Sequence, residues 1–328
     1  MPPSIHDALF KSTFSDPRHA EGILRTVLPA KLSARFTWST LALEPGSFVD
    51  ADLKDRHSDL LFRVSLGGRK AFLYLLYEHQ STQDWLIPFR LMAYGVRIWE
   101  QWLTQNAKDA RRLPAIVPVV LHHGEKGWTC ARTLEQLYDL DEETLAAVGE
   151  HVLRLRFVLD DLPTETDDAL RARVMSALGR LVLYCFRHAR EPEELVRGLG
   201  AWMDVVREVL EAPNGIAALG TVWRYILLVH PKKPAVVLKQ LTAVTEEGRV
   251  KETMRTAGEE LIHRGELRGE KRGEQQALRR MLQKQLTVRF GPLPQWATLK
   301  LEGANVPTLE RWGERVLTAA SLEEALKG

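Results

Sequence analysis

Three polar residues stand where two apolar runs begin or end. Asp59 directly precedes the run LLFRVSL at 60–66, Glu78 follows the run AFLYLLY at 71–77, and Gln80 comes two residues later. Side chains two apart on a strand share a face, so Glu78 and Gln80 project together and His79 projects the other way. Gly67-Gly68 between the runs signals a hairpin. Pairing residue 66 with residue 69 sets Asp59 opposite residue 76, and Glu78 becomes its diagonal neighbour.

Two carboxylates held together at the end of an apolar sheet repel, and one tends to take up a proton unless a cation is present. A hard divalent ion such as Mg2+ resolves the conflict and prefers oxygen ligands. A metal there can polarise a phosphoryl oxygen and lower the pKa of bound water. The Gln80 amide can orient water or phosphate, but it carries no charge and is no base. The competing reading is that all three are solvated or capping residues at strand ends.

The elements that must hold these residues follow from periodicity. Ser4 to Leu28 reads as a helix pair or one interrupted helix, with Ser4 as N-cap and a break and new start at Ser-Asp-Pro 15–17. Phe36 to Leu43, Leu60 to Leu66 and Ala71 to Tyr77 read as strands, the last apolar on both faces and therefore central. Leu86 to Thr104 has helical spacing. Ala115 to Leu121 is a further strand, in which Pro118 asks for an edge or a bulge. Hairpins followed by a helical crossover give a mixed sheet flanked by helices, class α/β. From 166 onward the pattern is helical: Thr166 to Arg190, Glu193 to Leu210, Ile216 to Val229 and the long charged stretch Glu246 to Leu286. Pro292 and Pro294 end that stretch, and a last helix starts near Ser321. The expected division is 1–165, 166–245 and 246–328.

The 328 residues suit about two domains. The net charge of +2 predicts no global affinity for nucleic acid, so any DNA-binding surface is a local patch. Cys130 and Cys185 are too few and too far apart for a structural zinc site or a disulfide scaffold, which suits a reducing compartment. The first ten residues lack a signal-peptide core, and no window has the ~20 apolar residues of a membrane span. A cytoplasmic protein is expected. Arg173, Arg180 and Arg187 recur every seven residues, as a track for a DNA backbone or as a solvated stripe. His122 and His123 read as a phosphate contact or as a polar loop, and Trp128 as a core anchor ahead of a stacking platform for a DNA base. The unit Arg-Gly-Glu repeats at 264–266, 268–270 and 272–274. Its glycines weaken a helix, so the stretch either gains from close approach to a partner helix or is locally disordered.

Four stretches occur in order: HDALFKSTFSDP at 6–17, SDLLF at 58–62, YEHQS at 77–81 and VPVVLHHGEKGW at 117–128. Together they resemble the Rpn-type family of recombination-promoting nucleases and putative transposases, assigned to the PD-(D/E)XK superfamily. The resemblance covers roughly residues 4 to 165, and more loosely the RGELRGEKRGEQ tail at 264–275. It implies a restriction-endonuclease-like sheet followed by an all-helical C-terminal region. It further implies a Mg2+- or Mn2+-dependent DNA endonuclease that promotes recombination. Asp59 and Glu78 would be metal ligands, and Asp7 or His6 an accessory ligand or substrate contact. Gln80 stands where the superfamily more often has lysine, a departure that puts rate and mechanism in question. The alternative is a DNA-binding scaffold protein that keeps the nuclease fold. A dimer through the C-terminal helices suits an enzyme that cuts both strands of a duplex.

Overall fold

The computed structural model describes residues 4–45, 58–78, 84–107 and 111–327, except the side chains of 58, 268, 269 and 272. Two compact units result, Met1–Gly258 and Glu259–Gly328.

The first unit opens with α1 (Ile5–Phe14) and α2 (Pro17–Val27). Ser4 and Asp7 form a capping box on α1. Asp16 caps α2, with Pro17 in its first turn. The break expected at 15–17 therefore follows from helix-start chemistry. After the short α3 (Ala30–Ser33) come β1 (Phe36–Leu43), β2 (Ser58–Leu66) and β3 (Arg69–Glu78). Gly67 and Gly68 both have positive φ, at 56° and 77°, which the tight β2–β3 turn requires. The chain then runs through α4 (Ile87–Gln105), β4 (Ala115–His122), α5 (Glu142–Val148) and β5 (Val158–Asp161).

The sheet has the order β1-β2-β3-β4-β5. The first three strands pair antiparallel, and β3-β4 and β4-β5 pair parallel, so the sheet is mixed. Pro118 lies in an interior strand, not at a sheet edge or a bulge. It is tolerated because β5 begins to pair only at Val119, so among the described residues no strand neighbours that flank of β4 at Pro118.

Amphipathic helices cover both faces. On one face, Ile87, Leu91, Tyr94 and Ile98 of α4 pack on Leu61, Phe72, Tyr74, Leu76 and Val120. On the other, Phe10 of α1 stacks on Tyr77 with ring centres 4.6 Å apart, and Phe186 meets the same ring at 4.9 Å.

Phe186 belongs to α7 (Ala177–Arg187), which follows α6 (Asp167–Arg171). The helix expected across 166–190 is thus two, with Ser176 capping the second. Every side chain from Leu181 to Phe186 is buried. Next come α8 (Pro192–Gly198), α9 (Met203–Glu211), α10 (Gly215–Val229) and α11 (Pro234–Ala243). Both α7 and α10 pack against α1, so these helices share a compact unit with the sheet.

The heptad-spaced arginines form neither a DNA track nor a solvated stripe. Arg173 makes a buried bidentate pair with Asp160 at 2.7 and 2.8 Å. Arg180 pairs with Glu208, and Arg187 with Asp167.

The helix α12 (Gly248–Phe290) is 43 residues long and runs on into the second unit. There α13 (Gln295–Gly303), α14 (Val306–Arg315) and α15 (Leu322–Ala325) fold around Leu282, Leu286, Leu301, Leu309 and Trp312. Among the described residues, no helix is long and apolar enough to cross a membrane.

Candidate active site

Register builds the site. Residue 66 pairs with 69 and Asp59 lies opposite Leu76, as turn arithmetic expects. Opposed residues of an antiparallel pair share a face, so Asp59, Tyr74, Leu76 and Glu78 all look towards the α4 side. Tyr74 and Glu78 are the two diagonal neighbours of Asp59. The Tyr74 hydroxyl donates to Asp59 Oδ2. Glu78 is 1% exposed. Gln80 lies outside the described residues, as does His79.

The Asp59 carboxyl is pushed up to about 6. Burial is the largest cause, and the charges of Asp7 and Glu78 act in the same direction. The Tyr74 hydrogen bond and the ammonium of Lys11 oppose the shift. Asp59 Oδ1 is a buried acceptor with no hydrogen-bond partner among the described residues. Three carboxylates and one lysine therefore share one electrostatic neighbourhood. Asp84 accepts the Leu86 N–H at 2.9 Å and pairs with Arg90 at 2.6 Å. The thiol of Cys130 is pushed up by burial and by the charges of Asp84 and Glu78.

Asp7 and His6 part company. Asp7 contributes charge to Asp59 while its Oδ2 accepts from the Ser4 hydroxyl at 2.8 Å. His6 turns to the opposite face of the sheet, where Nδ1 is 2.9 Å from the Tyr225 hydroxyl and the ring is 5.3 Å from that of His123. His123 itself is buried, with Nδ1 at 3.1 Å from the Tyr77 hydroxyl. Trp128 is partly buried against the α4-side core, as an anchor there should be.

The donor set suits a hard cation. Among the described residues, no three or more of His, Cys, Asp and Glu are grouped to hold a metal ion. Mg2+ keeps several waters, however, and needs only one or two carboxylates. A buried carboxylate oxygen without a donor, beside like charges, is what such an ion relieves.

Sequence reasoning did not reach Tyr74, Lys11 or Asp161. For Tyr74 the signal existed, since alternation gives residues 74, 76 and 78 one face. For Lys11 and Asp161 no local signal exists, because helix packing and a four-residue strand place them.

Comparison with known proteins identifies the family. Residues 4–216 match the family described as "Putative transposase, YhgA-like". The chain is 40% identical over 119 residues to the recombination-promoting nuclease RpnA of Escherichia coli K12, spanning 36% of this chain and 40% of that protein. It is 30% identical over 228 residues to RpnD of Escherichia coli O157:H7, another protein named a recombination-promoting nuclease, spanning 68% of this chain and 81% of that one. It is 31% identical over 179 residues to RpnE of strain K12, named an inactive recombination-promoting nuclease-like protein, spanning 55% and 58%. No solved structure matches.

Proposed function

From the premise that the chain belongs to the YhgA-like putative transposase family, whose relatives include named recombination-promoting nucleases, we propose that it is a metal-dependent DNA endonuclease of the PD-(D/E)XK type. The reaction is hydrolysis of a phosphodiester bond, in the service of recombination. Its site is where β2 begins and β3 ends.

One observation carries the reading: Asp59 and Glu78 are diagonal neighbours on adjacent strands, and Asp59 is pushed up to about 6 by burial and by neighbouring carboxylates. A site with no cation to bind has little reason to hold such a cluster. Asp59 and Glu78 would hold Mg2+ or Mn2+, which when bound supplies a polarised phosphoryl oxygen and an acidified water. The chain's own groups do the rest. Tyr74 fixes the rotamer of Asp59. Lys11 brings positive charge to the cluster from α1, useful because Gln80 brings none to the lysine position of the motif.

The partner is DNA in the cytoplasm. A homodimer through the C-terminal helices is supported by Met281, Val288 and Leu317 of the second unit, which are 58%, 89% and 70% exposed. Sedimentation of the full chain beside Val288→Glu tests it. A monomer at micromolar concentration for both proteins would exclude it.

The second reading is a non-catalytic DNA-binding scaffold. Gln80 favours it, as do the inactive names of some relatives.

Cleavage of supercoiled plasmid with Mg2+, Mn2+, Ca2+ or EDTA separates the two readings. Nicking or linearisation that needs metal and vanishes in Asp59→Ala and Glu78→Ala is the expected result. A wild type that binds DNA and fails to cut it with any of these metals would leave the scaffold.

A further inference from the structure

The polar row on the α4 side of the sheet does not stop at Glu78. Parallel pairing sets His122 beside Glu78, and Asp161 beside His122. In-register residues of a parallel pair share a face, so Glu78, His122 and Asp161 stand side by side across three strands.

His122 is fully buried. Its Nδ1 lies 2.6 Å from Asp161 Oδ1. An ionised carboxylate only accepts, so Nδ1 carries the proton, and in the neutral form of imidazole that tautomer has its lone pair at Nε2. Nε2 is buried, with no hydrogen-bond partner among the described residues. Buried side-chain nitrogens are ordinarily satisfied, and one that is not calls for an explanation.

The surroundings hold the ring in place. Asp161 Oδ2 accepts the Trp128 N–H at 2.8 Å, which fixes the carboxylate. The Trp128 ring meets His122 edge-on at 5.1 Å. The loop after β4 closes over the ring so tightly that a Cβ on Gly124 would lie 2.4 Å from Nε2. The sequence HHGEKGW is thus a setting for His122, with glycine where the backbone must pass closest.

We infer that His122 is a positioning residue of the proposed cleavage site: its Nε2 accepts a hydrogen bond from a water held at the Glu78 carboxylate, and Asp161 fixes the tautomer that makes this possible. The inference rests on the nuclease reading of Asp59 and Glu78. A water tethered by Glu78 and Nε2 has its lone pairs directed by two rigid strands instead of by a flexible side chain. Orientation of this kind is worth about 100-fold in rate when lost.

Asp161→Asn is the sharpest test. The asparagine keeps the shape, its Oδ1 can still accept from Trp128, and its Nδ2 donates to His122 Nδ1. The ring proton then moves to Nε2, and the acceptor becomes a donor. His122→Asn is the companion variant. Its amide can reach Asp161 from the Nδ1 position, and it has nothing at Nε2. Plasmid cleavage in Mn2+ and Mg2+ is measured for the full chain, both variants and Glu78→Ala, with side-chain 15N spectra to report the His122 tautomer. The expected result is a fall in kcat of about 100-fold in both variants, with unchanged KM for DNA and an inverted tautomer in Asp161→Asn. Wild-type kcat in a folded variant of either kind, while Glu78→Ala is dead, overturns the inference and leaves the nuclease standing. A wild type that cuts nothing removes the nuclease reading and this inference with it. If Asp161→Asn does not fold, the rate of His122→Asn decides.

Discussion

Tyr74 and Asp59 are diagonal neighbours across the β2–β3 hairpin, and the tyrosine hydroxyl donates to Asp59 Oδ2 from a buried ring. The bond favours the charged carboxylate, yet burial outweighs it and the Asp59 carboxyl still rises to about 6. The site therefore holds an acid that resists ionisation, a tension that bears on both stability and activity.

That tension predicts a pH-dependent gain from Asp59→Asn. The folded chain keeps a proton at Asp59 up to about pH 6, whereas the unfolded chain releases it near the ordinary value of 3.8. Between those values the folded state binds more protons, so this group's contribution to stability is full below pH 3.8, declines as pH rises, and is gone above about 6. A shift of about two units corresponds to roughly 3 kcal/mol. Asp59→Asn should match the wild type in urea unfolding at pH 4 and exceed it by roughly 1–3 kcal/mol at pH 7.5. An equal gap at both pH values would count against a buried, reluctant acid.

A divalent cation should relieve the same tension. Mg2+ or Mn2+ at tenfold its dissociation constant should stabilise the wild type by about 1.4 kcal/mol at pH 7.5. Asp59→Ala and Glu78→Ala should lose the response. Thermal melts with and without metal read this directly, and an identical response in all three proteins would place the binding elsewhere.

Lys11 is the cation that α1 brings to Asp59. Lys11→Met should raise the Asp59 carboxyl further, and Lys11→Arg should restore it. In a pH–rate profile the acid limb of Lys11→Met then moves to higher pH. Carbon NMR of the Asp59 carboxyl gives the same answer without turnover. An unmoved titration would show that the charge is screened.

Arg173 and Asp160 form a buried pair on the opposite side of the sheet, both side chains at 5% exposure or less. Removing one partner strands the other charge. Arg173→Met should cost roughly 3–5 kcal/mol, and Asp160→Leu added to it should recover much of the loss. A mild single-variant effect in denaturant unfolding would mean that water reaches Asp160.

Local rules were enough for the hairpin and the placing of its two carboxylates. Gly67-Gly68 and two-residue alternation set the register of β2 on β3, and hence the diagonal placing of Asp59 and Glu78, because turn geometry and strand period act over a few residues. They were enough, too, for both N-terminal helices, whose caps are adjacent in the chain. Packing alone decided the rest. β5 is four residues long, below what a periodic pattern reveals, yet it supplies Asp160 and Asp161. The arginine stripe looked solvated because its partners Asp160, Asp167 and Glu208 lie on other elements. His122 reads from the sequence more readily as a polar loop, since its partner Asp161 lies 39 residues further on. A local period reports which face a residue takes, whereas the charge or donor waiting at that face is set by how distant segments pack.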